Sequence, residues 1–158
     1  MVKERTMIRI RLRHPLLPGL PWLCLLLALG GCAQLPPPPE DAAAKRFEPV
    51  PGSAVVYLAR PSLEPGYVAP VVLDDEPIGS TYRGTFLRLE LPPGRYKLRG
   101  LAGDSGSIRL EVRAGEIHYI QHNTYGYRSF TGSSFIRVDA ARGQQLVRDG
   151  QIAGQIVR

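Results

Sequence analysis

The sequence is poor in cysteine, and both of its cysteines, Cys24 and Cys32, fall near the start of the 158-residue chain. From residue 33 onward there is no thiol, which excludes a disulfide framework, a thiolate zinc site and a cysteine nucleophile from that part. Histidine is scarce as well: His14, His118 and His122 are all there are. On a helix, a spacing of four would put the last two on one face. On a strand rising about 3.3 Å per residue they stand roughly 13 Å apart, too far to share an ion. Their surroundings read as strand, so both are expected to be half-exposed, with no metal. The chain lacks an EF-hand pattern around Asp74, Asp75 and Glu76, and acidic residues are ordinary in a turn. It has no Gly-x-Ser-x-Gly elbow and no Ser-x-x-Lys motif. Gly100, Gly103 and Gly106 are not followed by the helix and Lys-Ser/Thr of a phosphate loop. No catalytic residue and no cofactor is therefore expected. A long apolar run is missing too. The stretch Leu16 to Leu29, preceded by Pro15 and broken by Pro18 and Pro21, falls short of the about 20 residues that a spanning helix needs.

What the N-terminus does have is order. Lys3, Arg5, Arg9, Arg11 and Arg13 form a basic region offset only by Glu4, and the apolar stretch follows it. Residues 1–31 thus read as a secretory signal. The stretch ends in Leu29-Gly30-Gly31-Cys32, which resembles the lipobox of bacterial lipoproteins. That resemblance implies a diacylglyceryl group on the Cys32 sulfur, cleavage between Gly31 and Cys32, and acylation of the new amino terminus. Two or more acyl chains anchor stably. Ala33, rather than Asp, after the cysteine implies the periplasmic face of the outer membrane in sorting of the enterobacterial type.

Removing residues 1–31 leaves 15 cationic and 13 acidic side chains, so the net charge of +6 is largely carried by the signal, and nucleic-acid binding is not expected. Residues 32–51 read as the lipidated cysteine and a Pro-rich tether. Pro36 to Pro39 would form a stiff polyproline II rod, and the whole segment could reach on the order of 60 Å.

From Ser53 the pattern alternates with period two. Ala54 to Ala59 is apolar on both faces, hence central. Val68 to Leu73 contains Pro70, which suggests an edge or bulged strand. Ile78 to Tyr82 follows the Asp74–Pro77 turn. In Thr85 to Leu91, Leu87, Leu89 and Leu91 face inward while Phe86, Arg88 and Glu90 face the other way. Tyr96 and Leu98 share a face, with Lys97 and Arg99 opposite. Ile108, Leu110 and Val112 point inward. Ile117 to Asn123 and Phe135 to Val138 flank a looser loop, Thr124 to Ser133. Seven or eight short strands predict an all-β fold, a single small antiparallel β-sandwich over residues 52–139. Residues 140–158 read as a tail with one short helix, Asp139 its N-cap and Gly150 its terminator, although Gly143 weakens it.

Three motifs carry a second resemblance: Val56-Tyr57-Leu58-Ala59-Arg60-Pro61, Val72-Leu73-Asp74-Asp75-Glu76-Pro77-Ile78-Gly79, and Phe86-Leu87-Arg88-Leu89-Glu90-Leu91-Pro92-Pro93-Gly94. They resemble small envelope lipoproteins that carry a domain of unknown function, and the hairpin and Pro-Pro-Gly turn are similar to PEGA-type surface β-domains. The resemblance implies an immunoglobulin-like or transthyretin-like sandwich rather than an activity. Asp75-Glu76 stands where that family often has Asp-Gly, which favours a different turn. The candidate binding patch is Tyr125, Tyr127, Arg128 and Phe130, with Arg60 and Tyr67 as a second group. Aromatics with arginine offer stacking area and forked hydrogen bonds. The alternative for that loop is an aromatic plug closing one end of the sandwich. The expected role is a binding or structural accessory to another envelope protein. Peptidoglycan or glycan binding through the aromatic loop is the alternative, and an enzyme the third reading.

Overall fold

The computed structural model describes residues 38–101, 106–127 and 130–158. The elements are α1 (Pro39–Ala44), β1 (Ala54–Ala59), β2 (Ala69–Leu73), β3 (Glu76–Thr81), β4 (Thr85–Leu91), β5 (Gly94–Gly100), β6 (Ser107–Val112), β7 (Ile117–Tyr127), β8 (Phe130–Val138), α2 (Ala140–Asp149) and β9 (Gln151–Val157). They build an all-β sandwich. A five-stranded sheet of order β8-β7-β1-β4-β9 packs on a four-stranded sheet of order β3-β2-β5-β6.

Alternation decides which side chains enter the space between the sheets. Ala54, Val56 and Leu58 of β1, Leu87, Leu89 and Leu91 of β4, and Leu98, Leu110, Val112 and Ile120 form one buried cluster. The opposite face of β1 is just as buried, because Val55, Tyr57 and Ala59 pack with Phe86 and Tyr119 under the two helices. Both faces of β1 are thus buried, as its unbroken apolar run predicts. The second core is aromatic. Tyr57 stacks on Tyr119 with ring centroids 5.4 Å apart, and Phe47 meets both rings edge-on.

Helix α2 is capped as its sequence predicts. The Asp139 carboxylate accepts from the Arg142 amide at 2.8 Å, and the Gly150 amide closes the other end on Val147. Gly143, which weakens the helix by propensity, has a packing reason. A Cβ there would collide with the Tyr119 ring. Residues 140–158 are nonetheless no tail. After α2, β9 runs parallel to β4 and completes the sheet. A shift in that pairing between Phe86 and Leu87 sets Ile152 against the helical layer and Ile156 in the core between the sheets.

Other expectations change as well. There are nine strands in the described residues, and two ladders are parallel, β1 with β7 and β4 with β9. Period two fixes which face a side chain takes but carries no information on strand direction. Strand β2 is neither an edge nor itself bulged: it lies inside its sheet with Pro70 in register opposite Ser80, and the irregularity in the ladder is an extra residue on β3, between Gly79 and Pro77. The Thr124–Ser133 loop is instead the far part of a long β7–β8 hairpin, with Thr124 opposite Ser133. The tether is shorter than its composition implies. Pro39 opens α1 at a position where a missing amide costs nothing. The Asp41 carboxylate takes the Ile152 amide at 2.8 Å, and the Ala44 carbonyl takes the Tyr57 hydroxyl at 2.6 Å. Phe47 and Val50 pack on the aromatic core. Residues 38–51 therefore belong to the domain.

Candidate functional site

The sequence candidates divide between the interior and the surface. Arg60 follows β1 and is buried, 1 % exposed. Its guanidinium donates to the carbonyls of Tyr67, Pro65 and Thr81 and to the Thr124 hydroxyl. Its Nε has no partner among the described residues. Glu64 lies nearby and accepts the Thr124 amide at 2.9 Å. Burial lowers the Arg60 pKa from its usual value, while Glu64 raises it. Arg60 thus fastens the 60–68 loop to β7 from within, and both of its terminal nitrogens are engaged inside the fold. Tyr67 contributes its backbone carbonyl and is half-buried. Tyr125 stays 45 % exposed, its ring lying across the hairpin from Gly132, where a Cβ would collide with it. Arg128 and the side chains of Tyr127 and Phe130 lie outside the described residues, as do Gly31 and Cys32.

The histidines also part company. His122 is fully buried, stacked on Phe135 at 4.6 Å. Its Nδ1 is 2.8 Å from the Thr81 hydroxyl and its Nε2 2.8 Å from the Ser133 hydroxyl. Burial first, then the Arg60 charge, lower its pKa to about 3. A serine beside a histidine is the pairing of a nucleophile and its base, but here His122 is closed off from solvent and held by the Thr81 and Ser133 hydroxyls. Ser133 is itself buried. The trio satisfies its own polar groups and pins β3 to the β7–β8 hairpin. His118 is tied elsewhere, to Glu116 at 3.0 Å and to Arg137 at 3.2 Å. The two rings therefore serve separate networks.

The sequence reading missed a groove of about 620 Å³ between the β5–β6 hairpin and β8. It is lined by Arg95, Lys97, Arg109 and Arg137, with Asp74, Glu111, Tyr96 and Leu110. Lys97 stands directly across from Arg109 in the β5–β6 ladder. Both are exposed, and among the described residues neither side chain has an acidic partner. Like charges directly opposite on a sheet destabilise it. Nearby acids do little to offset this. Asp74 accepts the Lys97 backbone amide at 2.8 Å, and Glu111 sits 3.6 Å from Arg95, both side chains well exposed. The arrangement is suited to accept carboxylate or phosphate oxygens. Alternation alone puts Lys97 on an outward face, but the register that faces it with Arg109 depends on the Gly94 pairing to Val112.

Among the described residues no cluster of three metal-ligating side chains is present, and no helix is long and apolar enough to cross a membrane. No family model matches the chain, and no curated protein matches it in sequence.

Proposed function

We propose that this chain is a lipid-anchored binding module of the bacterial envelope. It is exported by residues 1–31, held to the outer membrane through Cys32, and acts as an accessory to another envelope protein. The lipobox-like Leu29-Gly30-Gly31-Cys32 supports the anchoring. The observation that carries the binding role is the exposed facing of Lys97 and Arg109 in a concave, cation-rich groove. A repulsive pair weakens a domain that has no disulfide to support it. Such a pair is explained by an acidic surface on a partner that relieves it. Confinement to one leaflet raises the effective concentration of nearby partners, so a weak interface suffices.

The test is in-cell crosslinking of a C-terminally tagged protein purified from membranes, with Lys97→Glu/Arg109→Glu and Cys32→Ala run alongside. A discrete protein adduct that fades in both variants is the expected result. Enrichment of wall fragments that persists in the charge-reversed variant would favour glycan contact elsewhere. With Arg60 buried, the described part of the aromatic patch that still faces solvent is Tyr125 and half-buried Tyr67.

A further inference from the structure

We infer that one end of the sandwich, carrying the 60–68 loop, is a membrane-docking face that dips into the lipid interface; this rests on the lipid-anchor reading above. Seven large apolar side chains stand exposed among the described residues: Leu63, Val68, Tyr82, Leu101, Tyr125, Ile136 and Val157. The first five share one end. There β1 gives way to the 60–68 loop, β2 begins, β3 and β5 end, and the β7–β8 hairpin projects. They also converge on one loop. The Tyr82 ring lies against Gly66, and the Leu101 amide donates to Pro70, two residues beyond Val68. Thr124, next to Tyr125, is held by Glu64, next to Leu63. Leu63 is 99 % exposed and Val68 64 %. These tips cover no core, yet Arg60 braces their loop from beneath through two of its carbonyls. A braced loop presents its apolar tips without first having to be ordered.

The occupant follows from where the chain leaves. Helix α1 is fastened beside this same end: Lys45 donates to the Gly150 carbonyl at 2.7 Å, and Gln151 donates to Gly84 in the β3–β4 turn at 3.0 Å. Pro38 lies three residues before Asp41, which holds the Ile152 amide. Six Cα steps separate Pro38 from Cys32, a reach of roughly 20 Å at full extension. A lipid on Cys32 therefore keeps this end within loop range of the headgroups. The flanking chemistry fits that surface. Arg83 stands 5.8 Å over the Tyr82 ring, and Arg142 shares a hollow with Leu63, where the acid present is Asp149, engaged by Gln145. Arginine and tyrosine at headgroup level with leucine and valine below them is the composition of an interfacial contact.

The mature chain has no thiol besides the acylated Cys32, so single introduced cysteines label uniquely. The lipidated protein would be purified from membranes and reconstituted in vesicles of phosphatidylethanolamine and phosphatidylglycerol. An environment-sensitive dye would sit at Leu63→Cys, Val68→Cys or, at the opposite end, Val157→Cys. The expected result is blue-shifted emission, quenched by nitroxide lipids, at the first two sites and water-like emission at Val157→Cys. Water-like emission at all three, quenched by iodide, would overturn the docking. So would dyes at Leu63→Cys and Val68→Cys shielded from both quenchers, since a second copy or a partner protein would then cover this end. The acyl mass on the N-terminal peptide and flotation with the vesicles report the anchor separately. Without them the anchor reading fails and the docking with it; with them and exposed dyes, the docking alone fails.

Discussion

Two groups of cationic side chains in this molecule are treated in opposite ways. Arg60 is buried, and four oxygens accept its hydrogen bonds. Lys97 and Arg109 are exposed and face each other across a ladder. Inside, an unpartnered charge would unfold the domain, so the fold surrounds it. Outside, water screens the charges and the sheet tolerates them at a modest loss. The interior cluster is thus explained by stability. The surface pair is not, and the proposed binding role rests on that difference.

The comparison can be broken from either side. The largest effect is expected from deleting residues 140–158. That removes α2 and β9, leaves β4 as a bare edge and strips the cover from Tyr57, Phe86 and Tyr119. Loss of cooperative unfolding by near-ultraviolet circular dichroism is the expected outcome, whereas a true tail could be cut without effect. Next comes Arg60→Ala, which leaves buried carbonyls and Thr124 without their donor. A loss of about 3 kcal/mol in urea unfolding is expected.

The interior also carries a pH signature. The folded pKa of His122 is lowered to about 3, against an ordinary value near 6.5. Between those values the unfolded chain binds a proton that the folded chain refuses. Stability is therefore full above about pH 6.5 and falls as the pH drops toward 3, by up to ~1.4 kcal/mol per pH unit. Urea midpoints across pH 7 to 4 measure the slope, and His122→Phe should flatten it. The smallest effect is Asp139→Ala, about 1 kcal/mol from the lost cap, read in the same titration.

How far the chain could be read without its structure follows the same divide. Leu87, Leu89 and Leu91 fixed a core face because alternation is local, and Asp139 and Gly150 marked a helix because caps are local. The aromatic second core was hidden because its members come from Phe47, Tyr57, Phe86 and Tyr119, far apart in sequence. Residues 38–51 read as spacer because a proline run signals extended chain, while the Asp41 bond to Ile152 joins residues 111 apart in sequence. The burial of His122 was within reach, since it shares a face with inward-pointing Ile120. A lone polar residue on an apolar face shows its depth only once Thr81 and Ser133 arrive from other strands. The groove needed a register, and register is set by pairing partners that no single strand reveals.

The most direct measurement is a double-mutant cycle on Lys97 and Arg109 by urea unfolding, each changed to Ala singly and together, with crosslinked adduct yield followed in parallel. If the facing charges are kept for binding, all three variants should equal or exceed the parent in stability, the cycle should report repulsion between the two, and the adduct should weaken. A loss of stability in the single variants, with the adduct unchanged, would make the pair part of the scaffold and remove the groove as the binding site.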